Sequence, residues 1–322
     1  MAKGPDGAGD GLQSSRAAMQ ETLIELPPFW TNASSLEDVL RAAPSAHQSG
    51  SPDVRFRIPR GCQLMTDAAV RLLSLFNQLD CSTRRVLVEF EEGEDGVLGY
   101  LGRIGFFESL LPNVVVLPGR PMSSTAARYH GRNPSLVEIE RIDRKQRDSG
   151  LLNRLTMAIT RACSQRSDIN ELQGAAWTIL AELIDNVFSH SETPLDGFAA
   201  LQVYRRGNCL KVAVSDSGLG MLGTLRPALQ SEVPRLAGLS DVDLLVEVFR
   251  RGLSRHGSSR GCGLKGCADK AIKFRAELDV RLPQERILLV PGTQGYKANT
   301  AFCYSGLPLI WGTHVCFTLR LD

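Results

Sequence analysis

The sequence lacks the features of several familiar protein classes. Nowhere do 18 uncharged apolar residues follow one another, and the first twenty residues contain no apolar core of a signal peptide. The eight cysteines form no C-x-x-C pair and no cysteine and histidine cluster at zinc spacing. These absences argue against a membrane protein, a disulfide scaffold and a zinc module. We therefore expect a cytoplasmic protein with reduced thiols.

The chain also lacks a strong excess of one charge. Its 37 Lys and Arg nearly balance 35 Asp and Glu, and the arginines are scattered instead of forming a basic run with aromatic residues. Nucleic acid is therefore not indicated as a partner. With 322 residues, 43% of them hydrophobic, the chain is long enough to bury two cores. We expect two domains.

The first part of the chain predicts a tail and a small domain. Residues 1–20 are mostly Gly, Ala, Asp and Ser, which predicts a disordered tail. Between residues 21 and 120 strand and helix patterns alternate, as in "DVRFRIP", "MTDAAVRLLSLFNQL" and "RRVLVEF". This alternation predicts a small α/β domain. Its size and placement look like a STAS-type domain, the fold of anti-sigma-factor antagonists.

A segment rich in Pro, Ser and Gly predicts a connector over residues 121–148. Residues 135–166 read as helical, with the charged "VEIERIDRKQRDSG" giving way to "LLNRLTMAITRAC". Two interpretations of this stretch stay open: a solvated linking helix or a dimer contact. The second domain is expected to cover residues 149–322.

The stretch "AELIDNVFSHSE" predicts a helix with two different faces. Apolar residues recur at helical spacing from Ala176 to Val187, which predicts one face packed on a core. Glu182, Asn186 and His190 follow at four-residue intervals on another face. A carboxylate there can take a proton from water, and an amide oxygen can bind a hard cation. The alternative is a merely exposed polar face.

A second motif follows the strand pattern "LKVAVSDSG". In "DSGLGM" a carboxylate, Asp216, stands at the strand end and is followed by Gly218 and Gly220. A carboxylate in this position can accept a hydrogen bond from an exocyclic amine, and glycine lets the backbone approach a flat ring. Alone, this motif is common in turns.

A third motif, "RGCGLKGCADKAIKF", places two glycines, Gly261 and Gly263, where a helix is predicted to begin. Backbone N–H groups at a helix start point outward, and glycine leaves no Cβ to block an approaching phosphate. The motif therefore suits a phosphate cradle, although glycines at loop and helix junctions have many uses.

In this order and at these separations, the three motifs resemble the N, G1 and G2 boxes of the GHKL superfamily of ATPases. The superfamily includes DNA gyrase B, MutL, heat-shock chaperones, sensor histidine kinases and anti-sigma-factor serine kinases. The resemblance covers roughly residues 150–322 and is closest to anti-sigma-type ATP-binding domains. It implies an α+β fold, a two-layer α/β sandwich whose mixed sheet carries helices on one face. It also implies ATP and Mg²⁺ as cofactors.

The resemblance implies a role for each matching residue. Asn186 would coordinate Mg²⁺, and Glu182 would be the catalytic base that orients the attacking water. Asp216 would hold the adenine amino group. Other nucleotide-binding residues would be Gly218, Gly220 and Met221 near the base, Arg255 and Ser259 in a mobile lid, and Gly261, Gly263, Leu264 and Lys265 at the helix start. For Lys265 a plain surface position is the alternative to a phosphate contact.

Three functions stay open. The first is a slow Mg²⁺-dependent ATPase whose lid closure switches a contact with a protein partner or a second copy of the chain. The second is an anti-sigma-type protein serine kinase, in which Glu182 would activate a hydroxyl group. The third is a nucleotide-sensing module without turnover, and Glu182 argues against it because a pure binder needs no base. No helical hairpin with a phosphoacceptor histidine precedes the domain, so a conventional sensor kinase is not expected.

Overall fold

A computed structural model of the chain describes residues 21–121, 125–143, 145–190, 193–253, 263–292 and 300–322. The predicted tail, residues 1–20, and the predicted lid around Arg255 and Ser259 lie outside these ranges. At His190 only the backbone is described. Within these ranges no helix combines the length and the apolar character needed to cross a membrane.

The N-terminal unit, residues 21–129, alternates strands and helices as the sequence predicts. Its strands are β1 Thr22–Glu25, β2 Trp30–Thr31, β3 Asp53–Ile58, β4 Gln63–Leu64, β5 Arg85–Phe90 and β6 Val115–Leu117. Its helices are α1 Ala33–Ala42, α2 Thr66–Cys81, α3 Val97–Arg103, α4 Phe106–Ser109 and α5 Thr125–Tyr129. A parallel sheet has the order β1-β3-β5-β6, and β2 pairs with β4 in a separate parallel ladder.

The second half of the chain forms the larger sheet. Its strands are β7 Leu136–Ile142, β8 Gly197–Tyr204, β9 Cys209–Ser215, β10 Glu277–Arg281, β11 Arg286–Val290, β12 Thr300–Tyr304 and β13 His314–Arg320. The order is β12-β11-β10-β13-β9-β8-β7. Its helices are α6 Leu151–Ala162, α7 Ile169–His190, α8 Gly220–Glu232, α9 Pro234–Ala237, α10 Asp241–Arg251 and α11 Gly263–Lys273.

All pairings within this larger sheet are antiparallel in the described strands. The prediction of a mixed sheet is therefore wrong for it, while the α+β class is confirmed. For one pair the reason is local: β8 and β9 are joined by a tight turn at Arg205–Asn208, where Asn208 adopts φ 49°. Connections this short join antiparallel strands only.

The two faces of the larger sheet are covered by different parts of the chain. Side chains alternate along a strand, so Ala199 and Leu201 of β8 face one side while Phe198 and Ala200 face the other. Ala199 and Leu201 pack in a core with residues of α6, α7 and α11. Phe198 and Ala200 belong to a second core, formed mainly by the N-terminal unit. Helices thus cover one face as predicted, and the N-terminal unit covers the other.

Helix α2 lies between the two sheets. Its fourteen residues from Thr66 to Leu79 are all buried. A helix that is buried on every side belongs to the interior of a protein. The core around it contains Phe56 from the small sheet and Ala213 from the large sheet. The layers therefore follow the order small sheet, helices with α2, large sheet, and second helix layer.

The prediction of a helix from residue 135 onward is wrong for the first part of that stretch. Leu136–Ile142 is strand β7, which pairs with β8 at the edge of the large sheet, and only Leu151–Ala162 of the predicted stretch forms a helix. The side chains of Val137, Ile139 and Ile142 are buried. The register shifts between Val137 and Glu140, so Val137 and Ile142 pack in one core and Ile139 in the other. The predicted connector, residues 121–148, thus contains a strand of the large sheet.

Candidate functional site

Helix α7 carries the first part of the candidate site. Its side chains Leu183 and Val187 are buried against the sheet, which fixes the rotation of the helix. Asn186 lies beside Val187 and is only partly buried. Leu183, Asn186 and Val187 together form one wall of a cleft. The amphipathic pattern therefore places one amide side chain over a largely apolar wall.

The end of strand β9 carries the second part. Asp216 follows the strand and is 4% exposed. Its carboxylate accepts a hydrogen bond from the Gly218 N–H at Oδ1, 2.8 Å, and one from the Thr313 N–H at Oδ2, 3.2 Å. The Asp216 N–H in turn donates to the Thr313 carbonyl at 3.0 Å. These bonds fix the direction in which the carboxylate borders the cleft.

The cleft brings together residues that are far apart in the sequence. Asn186, Asp216, Met221 and Leu264, all predicted as site residues, line one space. The complete wall consists of Leu183, Asn186, Val187, Val214, Asp216, Met221, Leu264, Thr313 and Val315. Six of these nine side chains are Leu, Val or Met, so the cleft combines an apolar lining with a few polar groups. Such a combination is typical of small-molecule sites.

Glu182 lies one helical turn before Asn186 and faces the beginning of α11. A Cβ atom built on Gly263 would stand 3.1 Å from Glu182 Oε1. Burial raises the pKa of the nearby Cys267 thiol to about 12, and the negative charge of Glu182 adds to the effect. A carboxylate beside the first turn of a helix meets the positive end of the helix dipole. Glycine at position 263 allows this close approach.

Other predicted site residues do not line the cleft. Gly218 acts through its N–H bond to Asp216. Gly220 begins α8 at φ +73°, with its Cα so close to Pro283 that a Cβ would lie 2.7 Å from Pro283 Cδ. Lys265 forms an i,i+4 ion pair with Asp269 at 2.6 Å on the surface of α11. Arg255, Ser259 and Gly261 lie outside the described residues.

Thr313 is a site residue that the sequence analysis missed. Its hydroxyl accepts a hydrogen bond from the Met221 N–H at 3.2 Å, and its own N–H donates to Asp216. Thr313 directly precedes strand β13, and its own segment does not indicate which strand β13 pairs with. The antiparallel register that pairs Ser215 with His314 brings Thr313 beside Asp216. That register depends on the fold of the whole sheet, so no local pattern could indicate Thr313.

The space within the cleft is small. The cavity measures about 20 Å³, which is room for little more than one water molecule. The polar groups at its wall suit a hydrogen-bond donor and a hard cation, but entry of any planar ring requires the walls to separate. Segment 254–262, between α10 and α11, lies outside the described residues.

The N-terminal unit contacts the strand end that carries Asp216. Ser74 of α2 shares a hydrogen bond with Ser215 at 2.8 Å, and Ser215 also contacts Nδ1 of His314. Nε2 of His314 lies 3.0 Å from the Trp311 carbonyl. Burial lowers the pKa of His314 well below its ordinary value, and the positive charge of Arg71 adds to this. A neutral ring that accepts at Nδ1 and donates at Nε2 fits these partners.

No protein-family model matches the chain, and no curated protein matches it in sequence.

Proposed function

We propose that the protein binds ATP with Mg²⁺ and acts as a slow ATPase of the GHKL type, whose lid closure switches a contact with a protein partner or a second copy of the chain. One observation carries the proposal. Asn186, Asp216 and Leu264 come from the three motifs that resemble the superfamily's boxes, and they line a single cleft. Their meeting in the fold supports a common role.

The adenine end of the proposed site is formed by Asp216 and Thr313. The backbone N–H groups of Gly218 and Thr313 orient the carboxylate of Asp216, so that it can accept a hydrogen bond from an exocyclic amine. Apolar side chains such as Met221 and Leu264 offer the flat surfaces between which a ring would lie. These residues would provide affinity and selectivity for the base.

The phosphate end is formed by Asn186 and Glu182. The side-chain oxygen of Asn186 would ligate Mg²⁺, which when bound supplies positive charge to the phosphates. Glu182 Oε1, beside the first turn of α11, would take the proton of the attacking water. Because the cavity is only about 20 Å³, binding has to open the cleft. The proposed switch rests on this coupling between binding and movement.

The cytoplasm is the proposed location. ATP is available there, and the cysteines in the described ranges are all free thiols, as expected in a reducing compartment.

The experiment incubates the purified chain with Mg²⁺ and γ-labelled ATP, with and without cell extract, and follows free phosphate and label on protein. Free phosphate is expected. Glu182→Ala should cut turnover by roughly 10²- to 10⁴-fold with binding nearly intact. Asp216→Asn should weaken binding itself because it removes the acceptor for the amine. Asp185→Ala is the matched control, since Asp185 neighbours both motif residues on α7 but is exposed and paired with Arg147.

Each other outcome overturns a specific part of the proposal. Label on an extract protein would replace the ATPase by a protein kinase. Tight binding with neither signal would leave a nucleotide-sensing module. Turnover at the parental rate in Glu182→Ala would show that Glu182 is not the catalytic base. Absence of ATP binding would show that the chain is not an ATPase of the GHKL type.

A further inference from the structure

A second and larger cavity lies between the N-terminal unit and strand β8 of the large sheet. It measures about 410 Å³ and shares no residue with the cleft at Asp216. It is lined by Trp30, Gly61, Cys62, Gln63, Leu64, Glu92, Asp95, Gly96, Val97, Tyr100, Gln202 and Tyr204. Several of these residues follow the carboxyl ends of β3 and β5. In open parallel sheets, ligands bind outside the carboxyl ends of the strands.

Three aromatic rings border this cavity. Trp30 packs edge-on against Tyr204, with ring centroids 6.4 Å apart and planes at 83°. Tyr100 supplies the third ring. Trp30 is nevertheless 57% exposed, so much of its surface remains open to solvent. Perpendicular aromatic walls around an open space are the arrangement by which proteins hold organic cations.

The charges at the cavity have one sign. Its lining includes the carboxylates of Glu92 and Asp95 and no basic side chain. Glu92 Oε2 accepts a hydrogen bond from the Gly61 N–H at 3.2 Å, which holds the carboxylate in place. Arg60 comes within 3.9 Å of Glu92, but its side chain is 80% exposed. An ion pair so exposed to water is weak and does not neutralise the site.

Gln202 provides a directed donor. Its Oε1 accepts hydrogen bonds from the Tyr100 hydroxyl at 2.6 Å and the Thr66 hydroxyl at 3.0 Å, and the Tyr204 hydroxyl lies 3.4 Å away. These hydroxyls fix the orientation of the amide. In the part of the chain that the structure describes, the Nε2 group of Gln202 has no protein acceptor, although the residue lines the cavity. Nε2 can therefore donate to a ligand.

We propose that this cavity binds a small organic cation that also carries a hydrogen-bond acceptor. Trp30, Tyr100 and Tyr204 would surround the cation, and Glu92 and Asp95 would attract its charge. Gln202 would donate to the acceptor. The site is independent of the proposed ATPase function, because it uses none of the residues assigned to ATP.

The probe is acetylcholine, which has a quaternary ammonium group and a carbonyl acceptor. Its neutral counterpart is 3,3-dimethylbutyl acetate, which has carbon in place of nitrogen and nearly the same shape. Titration of the full chain by calorimetry should give saturable binding of acetylcholine, at least about tenfold tighter than the neutral ester. The double variant Glu92→Gln/Asp95→Asn should bind acetylcholine about tenfold more weakly, and its affinity for the neutral ester should not change. Glu94→Gln, an exposed neighbour outside the cavity, is the control.

A second pair of variants tests the aromatic wall. Trp30→Ala should weaken acetylcholine binding about tenfold, whereas Trp177→Ala, which removes a tryptophan 46% exposed on α7, should leave it unchanged. Thermal unfolding of each variant establishes that it is folded. Absence of saturable acetylcholine binding, equal affinity for the neutral ester, or unchanged affinity in folded Trp30→Ala would each overturn the proposal.

Discussion

The side-chain amide of Gln78 donates a hydrogen bond to Ser217 Oγ at 2.9 Å, one residue beyond Asp216. The same nitrogen donates to the Trp311 carbonyl at 2.9 Å, and Gln78 Oε1 accepts from the Trp311 N–H at 2.8 Å. Gln78 belongs to α2 of the N-terminal unit and is fully buried. One side chain thus fixes both segments that present Asp216 and Thr313. The N-terminal unit is therefore part of the support of the cleft.

Gln78→Ala should lower both stability and nucleotide affinity. It removes the partner that Gln78 provides to Ser217 Oγ and to the Trp311 N–H, and each group left unpaired away from water costs about 1–3 kcal/mol. We expect a loss of about 2–4 kcal/mol in the free energy of unfolding, measured with urea, and weaker ATP binding by calorimetry. Gln48→Ala, at an exposed position, should change stability by less than about 0.5 kcal/mol. Equal effects of the two substitutions would contradict the role of Gln78.

A buried charge network joins the same helix to the large sheet. Arg71 of α2 lies 2.9 Å from Glu37 and 3.3 Å from Asp279 of β10. Arg286 of β11 also pairs with Asp279, at 2.8 Å. Burial alone would raise the pKa of Asp279, but Arg71 and Arg286 together hold it below its ordinary value of 3.8. The network therefore locks the two halves of the chain in one relative position.

Arg71→Ala should destabilise the protein strongly. Removal of one partner leaves buried carboxylates short of a counter-charge, which costs about 3–5 kcal/mol. Urea unfolding should show this loss. Arg60→Ala, at a side chain that is 80% exposed, should cost less than about 0.5 kcal/mol. If Arg71→Ala loses no more than Arg60→Ala, the network does not hold the halves together.

Local patterns predicted the segments that form the site but not the residues that hold those segments in place. The helical spacing around Asn186 and the strand before Asp216 depend on short-range periodicity, and both are present in the structure. Thr313 and Gln78 reach the cleft through long-range packing instead, which no single segment encodes. One signal for the packing of α2 was overlooked. Arg71, Ser74 and Gln78 recur at helical spacing and form a polar stripe on a helix that is otherwise largely apolar. Such a stripe indicates that a second surface of the protein packs against it and supplies hydrogen-bond partners.

Strand β7 was missed for a different reason. The charged segment "VEIERI" was interpreted as helical, although its apolar and polar residues alternate as in a strand. An edge strand pairs on one side only, so a side chain such as Arg141 reaches water there and charge does not argue against a strand. Sequence alone does not show that a segment will be an edge strand, because that depends on how far the sheet extends.

The buried His314 and the half-buried His47 make stability dependent on pH. Burial lowers the pKa of His314 well below 6.5 and that of His47 to about 4. Both are neutral in the folded protein at pH values where the unfolded chain takes up protons. Their contribution to stability is therefore fully present above pH 6.5 and is lost as the pH falls towards the folded-state pKa values.

Urea unfolding between pH 8 and 5 tests this dependence. Below about pH 6.5 the free energy of unfolding should fall by up to about 1.4 kcal/mol per pH unit for each histidine. His47→Gln and His314→Gln should each remove about half of that slope, and comparison at pH 8 separates the slope from any loss that is independent of pH. Slopes that remain unchanged in both variants would show that other groups cause the pH dependence.

Gly312 and Gly306 form a matched pair for the last prediction. Both adopt positive φ, +91° and +64°, in the segment between β12 and β13. A Cβ on Gly306 would meet nothing within 4 Å, whereas a Cβ on Gly312 would lie 2.1 Å from the Asp216 carbonyl oxygen. Alanine at Gly306 thus tests the backbone conformation alone. Alanine at Gly312 adds a collision with the backbone of the proposed adenine-binding residue.

Gly306→Ala should cost about 1–2 kcal/mol, the usual penalty of a left-handed conformation for a residue with a Cβ, and should leave ATP affinity unchanged. Gly312→Ala should cost clearly more in urea unfolding. It should also abolish ATP binding in calorimetry, because the strand end that carries Asp216 has to move away from Thr313. Equal losses of stability in the two variants, with ATP affinity retained in both, would show that close packing at Gly312 does not determine the geometry of the site.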